Sequence, residues 1–202
     1  MKAYKGFTRE LKSVMGNGDK KTCEFKVGET KEVESSKTVQ SGFHCCENPF
    51  ECLSYYALGK DNRFFEVEAA GDIDEDESER IACTKITLVK ELSKLEFVLA
   101  GIQYIVDHPQ RDKWQQSRQH LVVAKDEAEA KSHGDIAIAR GKMPKVKGPE
   151  GSILAMLVEN ESGEICEAKM FVAQNEKGNA GVWCKVGKGR KVEVLSNEEK
   201  AS

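Results

Sequence analysis

Apolar residues recur at every second position in run after run of this chain, and each run breaks at a glycine, asparagine or aspartate. That rhythm restricts most of the sequence to short β-strands, because successive strand side chains point to opposite faces. Thr22–Val27 alternates in this way, Gly28-Glu29-Thr30 turns the chain, and Lys31–Ser35 continues a hairpin. Strands are expected again at Ala3–Phe7, Thr38–Cys46, Arg63–Ala70 and Ile81–Leu88. The segment Met15–Lys21, rich in Gly, Asn and Asp, reads as a loop, and the acidic run Asp72–Glu79 reads as a solvated one. That run lacks the glycine and the terminal glutamate of a calcium-binding EF-hand loop.

Two helices interrupt the pattern. Asn48, Pro49 and Glu51 carry cap, first-turn and capping-box chemistry, and predict a helix of two turns over Pro49–Ala57. Ser93 and Glu96 repeat the capping-box spacing. An apolar stripe follows at Leu95, Val98, Leu99, Ile102 and Ile105, and Pro109 stops it. From Asp107 to Gln119 the composition turns polar, as in a linker, with Trp114 placed to pin it to a neighbouring surface.

Beyond His120 the grammar changes. Every eighth residue is apolar through Val122, Ala130, Ile138, Val146 and Leu154. One register over, Ala124, Ser132, Arg140 and Gly148 are mostly small. This spacing points to stacked coils of a β-solenoid, against the alternative of ordinary strands with coincidental spacing. Ser152–Val158, Ile165–Val172, Gly181–Val186 and Lys191–Leu195 then follow as a meander, with Ser196–Ser202 a polar tail. The expected fold is therefore α+β. An N-terminal α+β domain (1–107) is joined by a linker (108–120) to a domain (121–202) of short octad-repeat β-solenoid and antiparallel β-meander.

Composition narrows the function. Lys and Arg number 31 against 34 Asp and Glu, for a net charge of −3. That balance is unlike the basic footprint that neutralises phosphates, so no nucleic-acid partner is expected. No apolar run reaches the roughly 18 residues that cross a bilayer, and no apolar stretch follows the first lysines, so neither a membrane partner nor a signal peptide is expected. Seven cysteines, several inside strand-like runs, fit reduced thiols in a cytoplasm.

The densest chemistry lies between Ser41 and Tyr56. His44, Cys45, Cys46 and Cys52 raise a metal site, with His44, Cys46 and Cys52 the candidate ligands and Cys23 or Cys83 to complete it. No second Cys-x-x-Cys is present, and Cys45 and Cys46 point to opposite faces of a strand, which favours buried thiols. His108, His120 and His133 are isolated, and Gly187-Lys-Gly-Arg190 reads as a hairpin turn. No nucleophile elbow, P-loop or dinucleotide glycine fingerprint occurs.

The blocks Met1-Lys-Ala-Tyr-Lys-Gly-Phe7 and Ser41-Gly-Phe-His-Cys-Cys-Glu-Asn-Pro49, with Tyr55-Tyr56, resemble an uncharacterised family of phage and prophage proteins. In that family such an opening is followed by eight-residue repeats and a closing hairpin block. The resemblance implies a phage or prophage source, a bacterial host cytoplasm, and a non-catalytic accessory protein that binds a host protein, as inhibitors of host machinery or defence do. The repeats would then serve as a spacer or an oligomer contact. The order Tyr-Lys-Gly, Gly-Phe-His and a helix ending Tyr-Tyr is also similar to ADP-ribosyltransferase folds. That likeness implies NAD in a cleft between the first strand and the Asn48-capped helix, with Lys5 in the NAD-contacting position and Phe43–His44 beside the nicotinamide. Lys5 stands where those enzymes carry His or Arg, and no catalytic glutamate can be assigned. The candidate ligand-binding set is Lys5, Phe43, His44, Asn48 and Tyr56. No resident cofactor is expected, with NAD the alternative.

Overall fold

The structure is a computed structural model that describes residues 1–14, 22–38, 40–75, 80–111 and 114–195. The expected loop 15–21, part of the acidic run and the tail 196–202 lie outside them. The chain divides into two compact units, Met1–Tyr104 and Ile105–Ser202, of mixed α/β structure dominated by sheet.

In the first unit, β1 (Lys2–Phe7), β4 (Thr30–Glu32), β5 (Phe43–Cys46), β6 (Arg63–Glu75) and β7 (Arg80–Leu92) form one antiparallel sheet. Its order is β4-β7-β5-β1-β6, and β6 also pairs with β7, so β1, β5, β7 and β6 close into a ring. A small separate hairpin joins β2 (Lys12–Val14) to β3 (Thr22–Glu24). Alternation decides which face is filled. Ala3, Phe7, Phe43, Phe65, Val67, Ile81, Ile86 and Leu88 point to one core cluster, which Phe25 completes. Phe7 meets Phe25 and Phe65 edge-on, with ring centroids 5.0 and 5.5 Å apart.

The β6–β7 hairpin is longer than alternation predicts. Asp72, Ile73, Asp74 and Glu75, expected in a loop, remain in β6. A register shift between Ala70 and Ile73 lets them do so. Gly71 takes φ +78°, a value that L side chains rarely adopt, and a Cβ there would lie 2.1 Å from Thr84 Oγ1. The Thr84 hydroxyl accepts from the Asp72 amide at 2.8 Å. Donors far along the chain meet this segment: the Asp74 carboxylate accepts from the Thr38 amide at 2.7 Å, and the Asp72 backbone carbonyl from the Ser36 hydroxyl at 2.8 Å. Charge alone therefore misreads this segment, because its acids face donors on the 36–38 strap.

The helix over Pro49–Ala57 is shorter than expected, a 3-10 helix over Pro49–Ser54. The second helix, α1 (Lys94–Asp107), starts as the sequence indicates. Ser93 Oγ accepts from the Glu96 amide at 3.3 Å, and Glu96 accepts from the Ser93 amide at 2.8 Å. Its buried face carries Phe97, Val98, Gly101 and Ile102, while Leu95 and Leu99 stand 43% and 49% exposed. The expected stripe is thus rotated toward Phe97. The reason is Phe50, whose ring lies where a Cβ on Gly101 would be, only 2.2 Å from it. Phe97 packs between Phe50 and Phe64, with centroids 5.8 and 4.5 Å away.

In the second unit, β9 (Leu121–Glu129), β10 (Ile136–Lys147) and β11 (Ile153–Glu159) pair parallel and in register. Leu121, Ile136 and Ile153 align, as do Val122, Ala137 and Leu154. The stretch read as a linker contributes β8 (Gln116–Arg118), antiparallel to β9. The expected meander is corrected by the pairing. β12 (Ile165–Val172) folds back on β11, but β13 (Cys184–Val186) leaves it and pairs with the C-terminal half of β10, and β14 (Val192–Val194) pairs with β13. Val146 and Cys184, both fully buried, meet at that junction. Arg140 of β10 is 3% exposed. It donates to Glu159 at 2.5 Å and to the carbonyls of Pro109 and Gly163 at 2.6 and 3.1 Å, with its guanidinium 4.6 Å from the Trp114 ring. Trp114 thus anchors its polar segment to this sheet, as its position suggests. Among the described residues, no helix is long and apolar enough to cross a membrane.

The cap of α1 gives a pH test. Glu96 is held at about 2, below its ordinary 4.5, by its bond to Lys90 and then by the Ser93 amide and hydroxyl. A depressed carboxylate contributes stability that is present above the unfolded value and lost as pH falls through the folded one. Glu96→Gln is expected to lower the melting temperature at pH 7, with the gap to wild type narrowing from about pH 4.5 toward pH 2. Thermal melts of both proteins between pH 7 and pH 3 check this, and a constant gap contradicts it.

Candidate functional site

β1 and β5 share one register pair among the described residues, Tyr4 with Cys46. Beyond it β1 stays with β6 through Phe7, while β5 turns toward β7. Lys5 bridges the opening: its ammonium donates to the carbonyl of His44. Lys5 is 7% exposed and lies over the Phe7 ring, 5.6 Å from its centroid. An ammonium has three donors, so this bond leaves Lys5 capacity for a further acceptor.

The gap widens into a cleft of about 510 Å³. Tyr4, Lys5 and Gly6 of β1 form one wall, and His44, Cys45 and Cys46 of β5 the next. The 3-10 helix closes the third side with Cys52 and Ser54, followed by Tyr55 and Tyr56. Arg80, at the start of β7, and Ser13 of β2 complete the lining. No Asp or Glu is among its described lining residues.

The corner that places this helix follows from local chemistry. Asn48 is buried, and its Oδ1 accepts from the Phe50 amide at 3.0 Å. Pro49 occupies the first turn, where its missing N–H costs nothing. Phe50 and Leu53 face the interior, which turns Tyr55 and Tyr56 toward the cleft mouth. Gly6 has a specific reason to be glycine: a Cβ there would meet the Tyr56 ring at 2.5 Å.

The structure brings Lys5, His44, Cys46, Cys52 and Tyr56 together at one cavity. Asn48 serves as the helix cap beside it and does not line it. Phe43 faces the core, 5.9 Å from Phe25, and borders a small neighbouring recess rather than the main cleft. Tyr4 and Arg80 enter through the pairings of β1 and β7 with β5, for which the sequence carries no local signal, and Ser13 comes from the separate β2–β3 hairpin. Among the described residues, no group of three or more His, Cys, Asp or Glu side chains could hold a metal ion.

The Cys83 thiol donates to the Phe43 carbonyl at 3.5 Å. The neighbouring Cys83 thiol and then burial push the Cys45 thiol well up, while Cys45 lowers that of Cys83. The neighbouring Cys46 thiol and then burial push the Cys52 thiol well up. All four cysteines are free. Chemically, the cleft offers cationic donors, aromatic faces and polarisable sulfur, and no carboxylate among its described lining residues.

Gly6→Ala is expected to cost about 1–3 kcal/mol by overpacking against Tyr56, measured by urea unfolding. A neutral result would show that Tyr56 is free to leave the β1 wall.

No curated protein and no solved structure matches the chain. Residues 1–100, the segment that contains the cleft, match the family model of a domain of unknown function (DUF7666).

Proposed function

We propose that the N-terminal unit binds a small anionic ligand with an aromatic or heterocyclic ring, of the nucleotide class, with NAD among the candidates. One observation carries this proposal: a cleft of about 510 Å³ lined by Lys5, His44, Arg80, Tyr55 and Tyr56 and by no described carboxylate. Its size lies within the ~300–1,000 Å³ range of small-molecule sites. Lys5 and Arg80 supply charge-assisted hydrogen bonds to phosphate, and the tyrosine rings supply stacking. The cleft lies between β1 and the Asn48-capped helix, the place where the resemblance to ADP-ribosyltransferases puts NAD. Transfer at an anomeric carbon builds positive charge, which Lys5 and Arg80 oppose and no carboxylate among the described lining residues offsets. The proposed activity is therefore binding without catalysis.

ADP and NAD are expected to raise the melting temperature and to bind by calorimetry. Tyr55→Ala, at a 58% exposed position, should weaken binding with little change in stability. Lys5→Met should weaken it by 10-fold or more, since a hydrogen bond to a charged group contributes about 1.5–3 kcal/mol. The absence of any shift at millimolar ADP and NAD would refute the proposal.

A second reading follows from α1, whose outer face presents Leu95 and Leu99 one turn apart and both exposed. An apolar pair of this kind suits docking of a host protein, the partner implied by the phage-family resemblance, with the parallel strands β9–β10–β11 as a short solenoid spacer. Their in-register stacking at Leu121, Ile136 and Ile153 supports that spacer. A partner captured from bacterial lysate in stoichiometric amount should be lost with Leu99→Glu. Retention by that variant would count against this surface.

A further inference from the structure

The main cavity of the first unit has a small neighbour. A recess of about 20 Å³ lies beside it, and Lys5, Ser13 and His44 line both spaces, so the two adjoin. Phe25 and Phe43 wall the recess on its apolar side, and no Asp or Glu is among its described lining residues. One water-sized group needs ~10–15 Å³. The recess therefore admits a single oxygen and excludes a sugar ring.

Two of the shared residues carry hydrogen-bonding capacity that the fold leaves unused. Ser13 is held by its backbone, paired with Cys23 across the β2–β3 hairpin. Its side chain is enclosed, with the residue 6% exposed, and its hydroxyl bonds to none of the described residues. An enclosed hydroxyl without a partner is costly until a group enters to bond it. Lys5, 7% exposed, gives one of its three ammonium donors to the His44 carbonyl and keeps the others. A space one oxygen wide sets its walls around that one oxygen. An ammonium and a hydroxyl that both donate, beside apolar rings, suit an oxygen that is negatively charged and accepts only.

We propose that this recess is the subsite for one oxygen of a free terminal phosphate, so that the cleft selects nucleotides that end in phosphate over those whose phosphates are esterified on both sides. The inference rests on the nucleotide reading of the cleft. A terminal phosphate carries up to about two negative charges near neutral pH and an internal one about one. It also ends the ligand, so it seats an oxygen in the recess while the nucleoside runs back toward Tyr55 and Tyr56. An internal phosphate bears chain on both sides. The recess admits neither arm, and both must fold back into the same cavity of about 510 Å³. Ser13 and Lys5 are then the residues that set this preference.

The test is calorimetry of the full chain with ADP and ADP-ribose, which differ in whether the terminal phosphate is esterified. ADP is expected to bind at least about 10-fold more tightly. Charge at Lys5 and Arg80 favours ADP by itself, so the deciding variant is Ser13→Ala. It should weaken ADP by about 10-fold, the loss of one hydrogen bond to a charged group, and leave ADP-ribose unchanged. Its melting temperature without ligand should match wild type, because the hydroxyl has no bond to lose. A lower one would show the hydroxyl tied within the fold and would overturn the proposal. Equal binding of the two ligands by wild type, equal losses in the variant, or no loss for ADP would overturn the subsite and leave the nucleotide reading standing. Failure of both ligands to bind at millimolar concentration would refute that reading and the subsite with it.

Discussion

A single buried ammonium stands where the sheet of the first unit would otherwise need another backbone rung. β1 and β5 meet at Tyr4 and Cys46 and then diverge, and Lys5 spans the divergence by donating to the His44 carbonyl. The opening could not persist in a protein interior without such a donor, because a buried carbonyl left without a partner costs about 1–3 kcal/mol. A side chain can reach where an amide cannot, so the strands stay apart and the space between them remains a cavity. The charge that holds the gap open is also the charge that a ligand in the gap would meet.

The rest of the first unit positions the other walls around that gap. Closure of the ring through the β6–β7 hairpin fixes Arg80 at the end of β5, in register with Cys46. The ring of Phe50 against Gly101 and Phe97 fixes the 3-10 helix, and the helix fixes Tyr55 and Tyr56. Gly6 then lets Tyr56 lie directly on β1. Each placement rests on packing or on a cap rather than on a flexible loop, which is how a binding site is preorganised. The second unit uses different means, with parallel strands in register and Arg140 tying three segments of chain together.

Much of this was legible in the sequence where the signal is local. The caps at Asn48 and Ser93 announce both helix starts, because the capping side chain and its amide lie within three residues. Lys5, His44 and Tyr56 were singled out by motif, and they do converge. Phe43 was misplaced with them because alternation puts it on the opposite face from His44, with the core phenylalanines. Arg80 and Tyr4 were missed because only strand pairing brings them in. The acidic run was misread because its donors on the 36–38 strap are distant in sequence. The departure of β13 to β10 was hidden for the same reason: turns predict hairpins but not which strand a hairpin joins.

The measurement that bears most directly on the cleft is chemical-shift mapping on isotope-labelled full-length protein titrated with ADP. The account predicts saturable perturbations confined to Tyr4–Gly6, Ser13, His44–Cys46, Ser54–Tyr56 and Arg80, with the amides of β9–β11 unmoved. Perturbations scattered over surface lysines, or saturable ones centred away from Lys5 and Tyr56, would contradict it.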